Sequence, residues 1–157
     1  MQFKTKAQLS HQEKEAIRLL WNVEYPVVIA HKTPASFDAY LAALEDQNHV
    51  LVIDENQVIQ AWFFDFVRNN QRNFAMIVSR QVQGRGLGRK LINQAQTRHS
   101  NLNGWVVKTN GLLRVDGSEY PNPKDFYLKC GFTVLEDQIW KTEAFETVKI
   151  HWASGHQ

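Results

Sequence analysis

The sequence predicts an α+β fold, with a mixed, mostly antiparallel sheet of about six to seven strands flanked by about four helices. Three strand-like segments between residues 49 and 79 are separated by polar turns short enough for antiparallel hairpins. Apolar residues recur at helical spacing before and after this block. The chain has 157 residues and no internal repeat or linker, so we expect one domain spanning residues 1–157.

The first elements are predicted mainly from capping signals. Residues 2–7 form a candidate first strand. Ser10 and Glu13 have the spacing of a capping box, and the apolar residues after them share one helical face, so a helix should begin after Ser10. Pro34 suits a first helical turn, and the apolar spacing that follows predicts a second helix within residues 33–46.

Strands dominate the middle of the chain. Residues 49–54, 58–68 and 73–79 predict three consecutive strands. The helical spacing of the apolar residues that follow predicts a third helix from about Leu87 to about Arg98. A fifth strand is expected at residues 104–109.

A short fourth helix and two final strands complete the plan. Asn122 is a candidate cap, Pro123 suits the first turn, and Gly131 suits the end of this helix. Residues 132–136 and 145–153 predict the last strands. Because hairpins outnumber strand–helix–strand units, the sheet should be mostly antiparallel.

Composition excludes several classes of function. The formal net charge is only +2, which is too weak for a nucleic-acid-binding surface. Cys130 is the only cysteine and the histidines lack ligand spacing, so we expect no disulfide and no metal. No segment approaches the roughly 20 apolar residues of a membrane span, and the start lacks a signal-peptide core. We therefore expect a cytoplasmic protein with neither a membrane nor a nucleic acid as partner.

A glycine-rich segment at the junction of the fourth strand and third helix predicts an anion site. Three glycines free the backbone for close approach, and the start of a helix offers unpaired N–H groups with partial positive charge. Three cations surround them. The residues are Gln83, Gly84, Arg85, Gly86, Leu87, Gly88, Arg89 and Lys90. We expect a phosphate here, and specifically a diphosphate; the alternative is a close-packed turn, in which three cations would have no structural use.

Two common phosphate-binding loops do not fit the spacing. The nucleoside-triphosphatase loop requires G-x-x-x-x-G-K-[ST], which does not occur in the chain. The dinucleotide fingerprint requires G-x-G-x-x-G and an acid about twenty residues later, whereas this loop is G-x-G-x-G and that neighbourhood holds residues 105–109 without an acid.

The segment Gln83–Gly88 resembles the Q/R-x-x-G-x-G/A signature of the GNAT superfamily of N-acetyltransferases. The resemblance extends to "FAMIVS" before the loop, "GWVVKTN" after it, and "FYLKCGF" as the family's late Y-x-x-x-G-F element. It covers approximately residues 50–135, and the first 45 residues are similar only in their plan of two helices.

The resemblance implies acetyl-coenzyme A as co-substrate, with no metal. Residues 83–89 would then hold the pyrophosphate, and the backbone of Met76, Ile77 and Val78 would bind the pantetheine arm between splayed strands. The family commonly has an asparagine about seven residues before its tyrosine, but position 120 is Tyr. Asn110 at the end of the fifth strand is our candidate for this contact, and Asn122 is the alternative.

Acetyl transfer from a thioester to an amine requires a neutral nucleophile, an oxyanion donor and a proton for the departing thiolate. Tyr127 holds the tyrosine position of the late element, which implies a general acid; a core tyrosine is the alternative. A backbone N–H near Val78 resembles the oxyanion donor of the family.

The general base is less defined. Asp65 lies in the apolar run "WFFDFV", where burial would raise its pKa toward a useful value, and it is our candidate. The alternative reading of Asp65 is a strand acid that faces solvent. Glu24, His31, Glu119 and a chain of water molecules are further alternatives.

Two regions could bind the acceptor. Trp21 and Tyr25 lie four residues apart on one helical face with Glu24 between them, and could hold an amine by cation–π contact or simply pack in the core. Residues 110–123 form a long, polar connection that either lines the acceptor site or decorates a solvent loop.

The sequence thus predicts an N-acetyltransferase in which a primary amine, from a small molecule or a peptide, attacks acetyl-coenzyme A directly. The alternative is a coenzyme A-binding regulatory module that has lost catalysis, consistent with the lack of an acid on the fourth strand. A homodimer through the final strand is a further expectation.

Overall fold

Seven strands form a single sheet in the computed structural model, which describes residues 1–155. The strands are β1 (Gln2–Lys6), β2 (Glu45–Ile53), β3 (Ile59–Arg68), β4 (Gln71–Val78), β5 (Asn101–Val107), β6 (Thr133–Lys141) and β7 (Glu146–Ala153). The α-helices are α1 (His11–Glu24), α2 (Pro34–Ala42), α3 (Leu87–Arg98) and α4 (Lys124–Lys129). Short 3-10 turns lie at Val27–Ile29 and Arg80–Val82.

The strand order confirms the predicted α+β class. The sheet runs β1-β2-β3-β4-β5-β7-β6, and its pairs are antiparallel except for β4 with β5, which is parallel. One expectation is wrong in detail. The final strand β7 pairs with β5 on one side and β6 on the other, so it offers no free edge for a dimer.

Local signals account for most helix boundaries. The capping box forms, since Ser10 Oγ accepts from Glu13 N at 3.1 Å and Glu13 Oε1 accepts from Ser10 N at 2.8 Å. The third helix begins and ends where its apolar spacing predicts. The fourth helix begins later than expected, at Lys124, because Asn122 Oδ1 accepts from Lys124 N in a tight turn and Pro123 becomes the N-cap.

Two strands are longer than their apolar pattern suggests. β2 starts at Glu45 because a register shift between Glu45 and Asn48 lets polar residues continue the pairing with β3. β6 continues to Lys141 along the sheet edge, where its side chains are mostly exposed. Strand pairing, rather than hydrophobic alternation, determines both ends.

The sheet separates two apolar layers. Because side chains alternate along a strand, Phe63 of β3 packs toward α3 and α4 while Trp62 and Phe64 pack toward α1 and α2. Leu91 and Ile92 of α3 complete the first layer. The second layer is completed by Ile17, Trp21, Phe37 and Leu41.

Residues 1–155 lack two features that would point to other functions. No helix in this range is long and apolar enough to cross a membrane. The same range holds no group of three or more histidine, cysteine, aspartate or glutamate side chains arranged to bind a metal ion.

A buried histidine ties β2 to β3. The His49 ring is 1% exposed and stacks on Phe64, with ring centroids 5.3 Å apart. Trp62 Nε1 donates to His49 Nδ1 at 3.0 Å, so the proton of the neutral ring is on Nε2, which donates to Gln47 Oε1 at 2.9 Å. Burial lowers the pKa of His49 from 6.5 to about 4. Protonation of Nδ1 would in addition remove the acceptor for Trp62 Nε1.

We expect His49 to make the fold sensitive to acid. Between pH 6.5 and about 4 the unfolded chain binds this proton and the folded chain does not, so the free energy of unfolding falls as the pH falls through that window. Above pH 6.5 both states are neutral and the contribution to the pH dependence disappears. Urea unfolding at several pH values would measure it. His49→Gln should flatten this part of the profile, whereas replacement of the exposed His11 by Gln should not; equal slopes for wild type and His49→Gln would contradict the assignment.

Candidate functional site

β4 and β5 separate to form a cleft. Their parallel pairing consists of one register pair, Asn73 with Asn103. Beyond it, residues 74–78 of β4 and 104–107 of β5 line opposite walls of a cleft of about 650 Å³. A sheet opened in this way leaves strand backbone groups without a neighbouring strand, so an extended ligand can take that place.

The glycine loop borders the wide end of this cleft. Gly84 and Gly86 have φ values of 82° and 76°, in the left-handed region that favours glycine. A Cβ atom added at either position would meet no protein atom within 4 Å, so these glycines are not required by packing. The alternative of a close-packed turn therefore does not hold at these two positions.

The start of α3 is uncapped by any side chain. Gly86 is the N-cap residue, and the first helical hydrogen bond runs from Lys90 N to Gly86 O at 3.0 Å. The N–H groups of Leu87, Gly88 and Arg89 precede that bond and have no acceptor within the helix. Together with the helix dipole they favour an anion at this point.

Most of the predicted loop residues lie along the cleft. Its lining includes Gln83, Gly84, Gly86, Leu87, Gly88 and Arg89. Arg85 is exposed and does not contribute to the lining. The Gln83 side chain turns back to β4 and donates to Val78 O at 3.0 Å, so it stabilises the loop. Leu87 is buried in the core, which leaves its backbone as the part that a ligand can contact.

The β4 wall carries the three residues predicted to bind the arm. Met76, Ile77 and Val78 all line the cleft. Ile77 packs toward α1 and α2, whereas Met76 and Val78 pack toward α3. Tyr25 reaches this wall from the end of α1, and its hydroxyl donates to Met76 O at 3.0 Å. The sequence had placed Tyr25 near the acceptor, but it had not indicated this bond.

The structure favours Asn122 over Asn110 as an asparagine of the cleft. Asn110 is exposed and lies outside the lining, because the chain leaves β5 after Val107 and Glu146 N bonds Thr109 Oγ1 at 2.8 Å. Asn122 is part of the lining. The spacing from Tyr127 could not separate the two, since neither occupies the expected position.

Tyr127 presents a buried phenol to the cleft. It belongs to α4, is 7% exposed and lines the cleft, with its ring against Phe74, Phe126 and Phe132. No protein group within residues 1–155 bonds its hydroxyl. Burial raises the pKa of Tyr127 well above its usual range, so the phenol keeps its proton at neutral pH.

Asp65 lies elsewhere. Its side chain is fully buried and does not line the cleft. Its Oδ1 accepts from Arg72 at 3.0 Å and contacts His99 Nε2 at 3.0 Å, and its Oδ2 accepts from Arg98 at 3.3 Å. A carboxylate held by three basic side chains joins α3 to the sheet, and this placement does not support a role as general base. The apolar run around Asp65 indicated burial correctly and could not reveal the three partners.

Glu24 is the one alternative base that lines the cleft within the described chain. Its Oε2 accepts from Arg80 N at 3.1 Å, and its Oε1 lies 3.3 Å from Arg80 Nε and 3.8 Å from Arg114 Nη2. Neither His31 nor Glu119 lines the cleft. Burial lowers the pKa of His31, whose Nδ1 lies 2.8 Å from Ser36 Oγ.

Residues 111–121 fold back as a hairpin over one end of the cleft. Leu113 pairs with Glu119, and Arg114 N donates to Ser118 O at 2.8 Å. Arg114 Nε donates to Glu24 O at 2.9 Å, so the hairpin is tied to the end of α1. Asp116 Oδ2 also forms an ion pair with Arg80 Nη2 at 3.0 Å. Arg114 and Tyr120 line the cleft, whereas Asp116 and Glu119 lie outside the lining.

The cleft fits coenzyme A, the group that the sequence resemblance implies. The open space beside Gly84 and Gly86 and the uncapped start of α3 suit a diphosphate, with Arg89 as the charged side chain. The gap between β4 and β5 suits an extended arm with amide groups.

Comparison with solved structures shows the same fold. An aminoglycoside 6'-N-acetyltransferase complexed with coenzyme A superposes with a TM-score of 0.70 at 9% identity, covering 98% of this chain and 97% of that one. A phosphinothricin acetyltransferase from Sinorhizobium meliloti, in complex with acetyl-coenzyme A, gives 0.66 at 12% identity, with 99% and 90% covered. Mutant forms of the spermidine/spermine N-acetyltransferase from Vibrio cholerae give 0.61 at 17% identity, with 97% and 95% covered.

Sequence comparison gives the family. No curated protein matches the sequence significantly. A family model described as the acetyltransferase (GNAT) domain matches residues 46–134, which is more than half of the chain and contains the cleft between β4 and β5, the glycine loop and Tyr127. The chain therefore belongs to the GNAT acetyltransferase family.

Proposed function

We propose that this protein transfers an acetyl group from acetyl-coenzyme A to a primary amine. One observation carries the proposal: the uncapped N-terminus of α3, with its two left-handed glycines, opens into the same cleft as the Tyr127 phenol. An anion site and a proton donor on one cleft are what thioester aminolysis requires. The acetyltransferase neighbours support the choice of reaction.

The chain's own residues divide between binding and proton transfer. We assign the N–H groups at the start of α3, with Arg89, to the diphosphate, and the backbone of Met76 and Val78 to the arm. When bound, the thioester supplies an activated acetyl group. A backbone N–H near Val78 would stabilise the negative charge that develops on its carbonyl oxygen.

Proton balance defines the remaining roles. A primary amine whose ammonium form has a pKa near about 10.4 is mostly protonated at neutral pH, so the ammonium must lose a proton before the nitrogen can attack. Because Asp65 lies off the cleft, we assign that proton to water in the open cleft; Glu24 is the one carboxylate of the described lining. The neutral amine nitrogen bonds the acetyl carbon, the carbon–sulfur bond breaks and the sulfur takes the Tyr127 proton. The nitrogen then loses its surplus proton to water, and water returns a proton to Tyr127.

The raised pKa of Tyr127 has two opposing effects. It keeps the phenol protonated and ready to donate at neutral pH. The raised pKa also makes proton donation by the phenol less favourable. The same buried surroundings raise the pKa of the departing thiol as well, since both groups become anions when they lose a proton. The proton transfer is therefore compatible with the environment that holds the phenol. Cytoplasmic location, a small-molecule or peptide acceptor, and a homodimer stay predictions.

The first test measures binding and turnover separately. Titration calorimetry with acetyl-coenzyme A should give saturable binding, and thiol release over a panel of primary amines should identify at least one acceptor. Binding without thiol release from any amine would favour the coenzyme A-binding regulatory module over the enzyme. Absence of binding would remove both.

Gly86→Ala should weaken acetyl-coenzyme A binding by about tenfold or more, because the added methyl group occupies space that the diphosphate needs beside the helix start. The left-handed φ also costs about 1 kcal/mol of stability. Gly117→Ala is the matched control, since Gly117 has a φ of 85°, equally open surroundings and no place in the cleft. Calorimetry and thermal unfolding of both variants separate the two effects; equal affinities would contradict the assignment of the loop.

Tyr127→Phe should lower the turnover number by about a hundredfold or more, the usual size of a general-acid contribution, with affinity for acetyl-coenzyme A nearly unchanged. Thiol release and calorimetry measure these two quantities. Tyr120→Phe provides the comparison, because it removes another phenol of the cleft whose ring lies 6.1 Å from Tyr25. If Tyr127→Phe turns over at the wild-type rate, the phenol is only part of the core.

A further inference from the structure

The cleft is lined from both faces of the sheet, including the α1 and α2 side. The glycine loop and α3 occupy the other side, where Phe74 and Met76 also pack. Ala75 and Ile77 alternate with those residues and face α1 and α2. An acceptor that meets the acetyl group from the side opposite the cofactor therefore enters here. Aromatic side chains line this half of the cleft: Trp21, Tyr40, Phe66 and Trp105.

Charge is distributed unevenly along the lining. Its charged side chains within residues 1–155 are Glu24, Arg68, Arg89 and Arg114. Arg89 belongs to the glycine loop at the start of α3. Glu24 and Arg114 belong to a cluster with Arg80 and Asp116, in which two acids and two bases balance. Arg68 is the remaining charge, and it has no acid to balance it.

Arg68 is exposed at the edge of the cleft, beside an aromatic ring. It is the last residue of β3, before a turn in which Asn69 and Asn70 both have left-handed backbone. Its guanidinium lies 5.5 Å from the centroid of the Phe66 ring. The neighbouring Arg72 pairs with Asp46 and Asp65, whereas Arg68 forms no ion pair in the described part of the chain.

Two uncharged polar groups share this end of the cleft. Asn73 is 4% exposed, and its Nδ2 donates to Arg68 O at 3.3 Å and to Gln71 O at 3.0 Å, which leaves Oδ1 to accept from a ligand. Burial raises the pKa of Tyr40 to about 12, although the charge of Arg68 acts in the opposite direction, so the phenol remains a donor at neutral pH. This end of the cleft thus offers the Arg68 cation, Asn73 Oδ1 as a hydrogen-bond acceptor and the Tyr40 hydroxyl as a donor, between aromatic side chains.

We propose that the acceptor is a primary amine that also carries a carboxylate and an apolar or aromatic body, with the carboxylate bound by Arg68. This inference rests on the proposed acetyl transfer and specifies its substrate class. A guanidinium binds a carboxylate through two parallel hydrogen bonds, and the aromatic walls suit an apolar side chain. A polyamine fits poorly, because Glu24 is already shared by two arginines and no other acid of the described lining could take a second ammonium.

Matched acceptor pairs that differ only in the carboxylate test the proposal. L-phenylalanine with phenethylamine and L-leucine with 3-methylbutylamine are two such pairs, and spermidine represents the polycations. Thiol release should give a kcat/KM at least about tenfold higher for the carboxylate-bearing member of at least one pair, which corresponds to one charge-assisted hydrogen bond. The kcat/KM of both members of that pair should equal or exceed that of spermidine.

Variants assign the preference to Arg68. Arg68→Gln should lower the ratio of kcat/KM values within the pair by about tenfold, through KM rather than kcat, and Arg68→Lys should retain part of it because the charge remains without the planar fork. Lys4→Gln, which removes an exposed cation of β1 outside the cleft, should leave the ratio unchanged. Affinity for acetyl-coenzyme A should be the same in all three variants.

Three outcomes would overturn the inference. Preference for the decarboxylated amines or for spermidine would reject a carboxylate-bearing acceptor while leaving acetyl transfer intact. A ratio that Arg68→Gln does not change would reject Arg68 as its origin. Thiol release from none of the amines, by a protein that binds acetyl-coenzyme A, would reject the transferase function and with it this inference, and it differs from the first two because no ratio can then be measured.

Discussion

The separation of β4 from β5 is the constraint on which the rest of this structure depends. The other five pairs of neighbouring strands each match over at least five residues, whereas these two share one register pair, at Asn73 and Asn103. A sheet interrupted in this way has exposed backbone groups that must be satisfied by a ligand, by water or by side chains. The Tyr25 hydroxyl and the Gln83 amide already satisfy two β4 carbonyl groups, at Met76 and Val78. Both bonds also brace the wall along which a ligand would lie.

Elements far apart in the sequence stabilise the opened sheet. The hairpin at residues 111–121 bonds the end of α1 through Arg114, and Arg80 bonds both the hairpin and Glu24. Because Arg114 is buried and Glu24 is its ion-pair partner, loss of Glu24 would leave the Arg114 charge uncompensated, whereas Glu24 would keep Arg80 if Arg114 were lost. The cluster therefore joins the acceptor half of the cleft to the turn that precedes the glycine loop.

The sequence predicted the parts of this protein that local chemistry determines. The capping box at Ser10, the bounds of α3 and the glycine loop follow from short-range spacing and were visible without a structure. The long-range partners were not visible. Asp65 looked like a buried acid with a free carboxylate because Arg72, Arg98 and His99 meet it only after folding. Asn110 and Asn122 are equally plausible in the sequence, and only the path of the chain after Val107 distinguishes them.

The left-handed glycines at the mouth of α3 have a consequence for how this protein can diverge. A loop that presents main-chain groups asks little of the side chains around it, so substitutions elsewhere can accumulate while that surface persists. Substitutions in the aromatic and charged walls can then change which molecule enters the cleft without altering the main-chain surface at the start of α3.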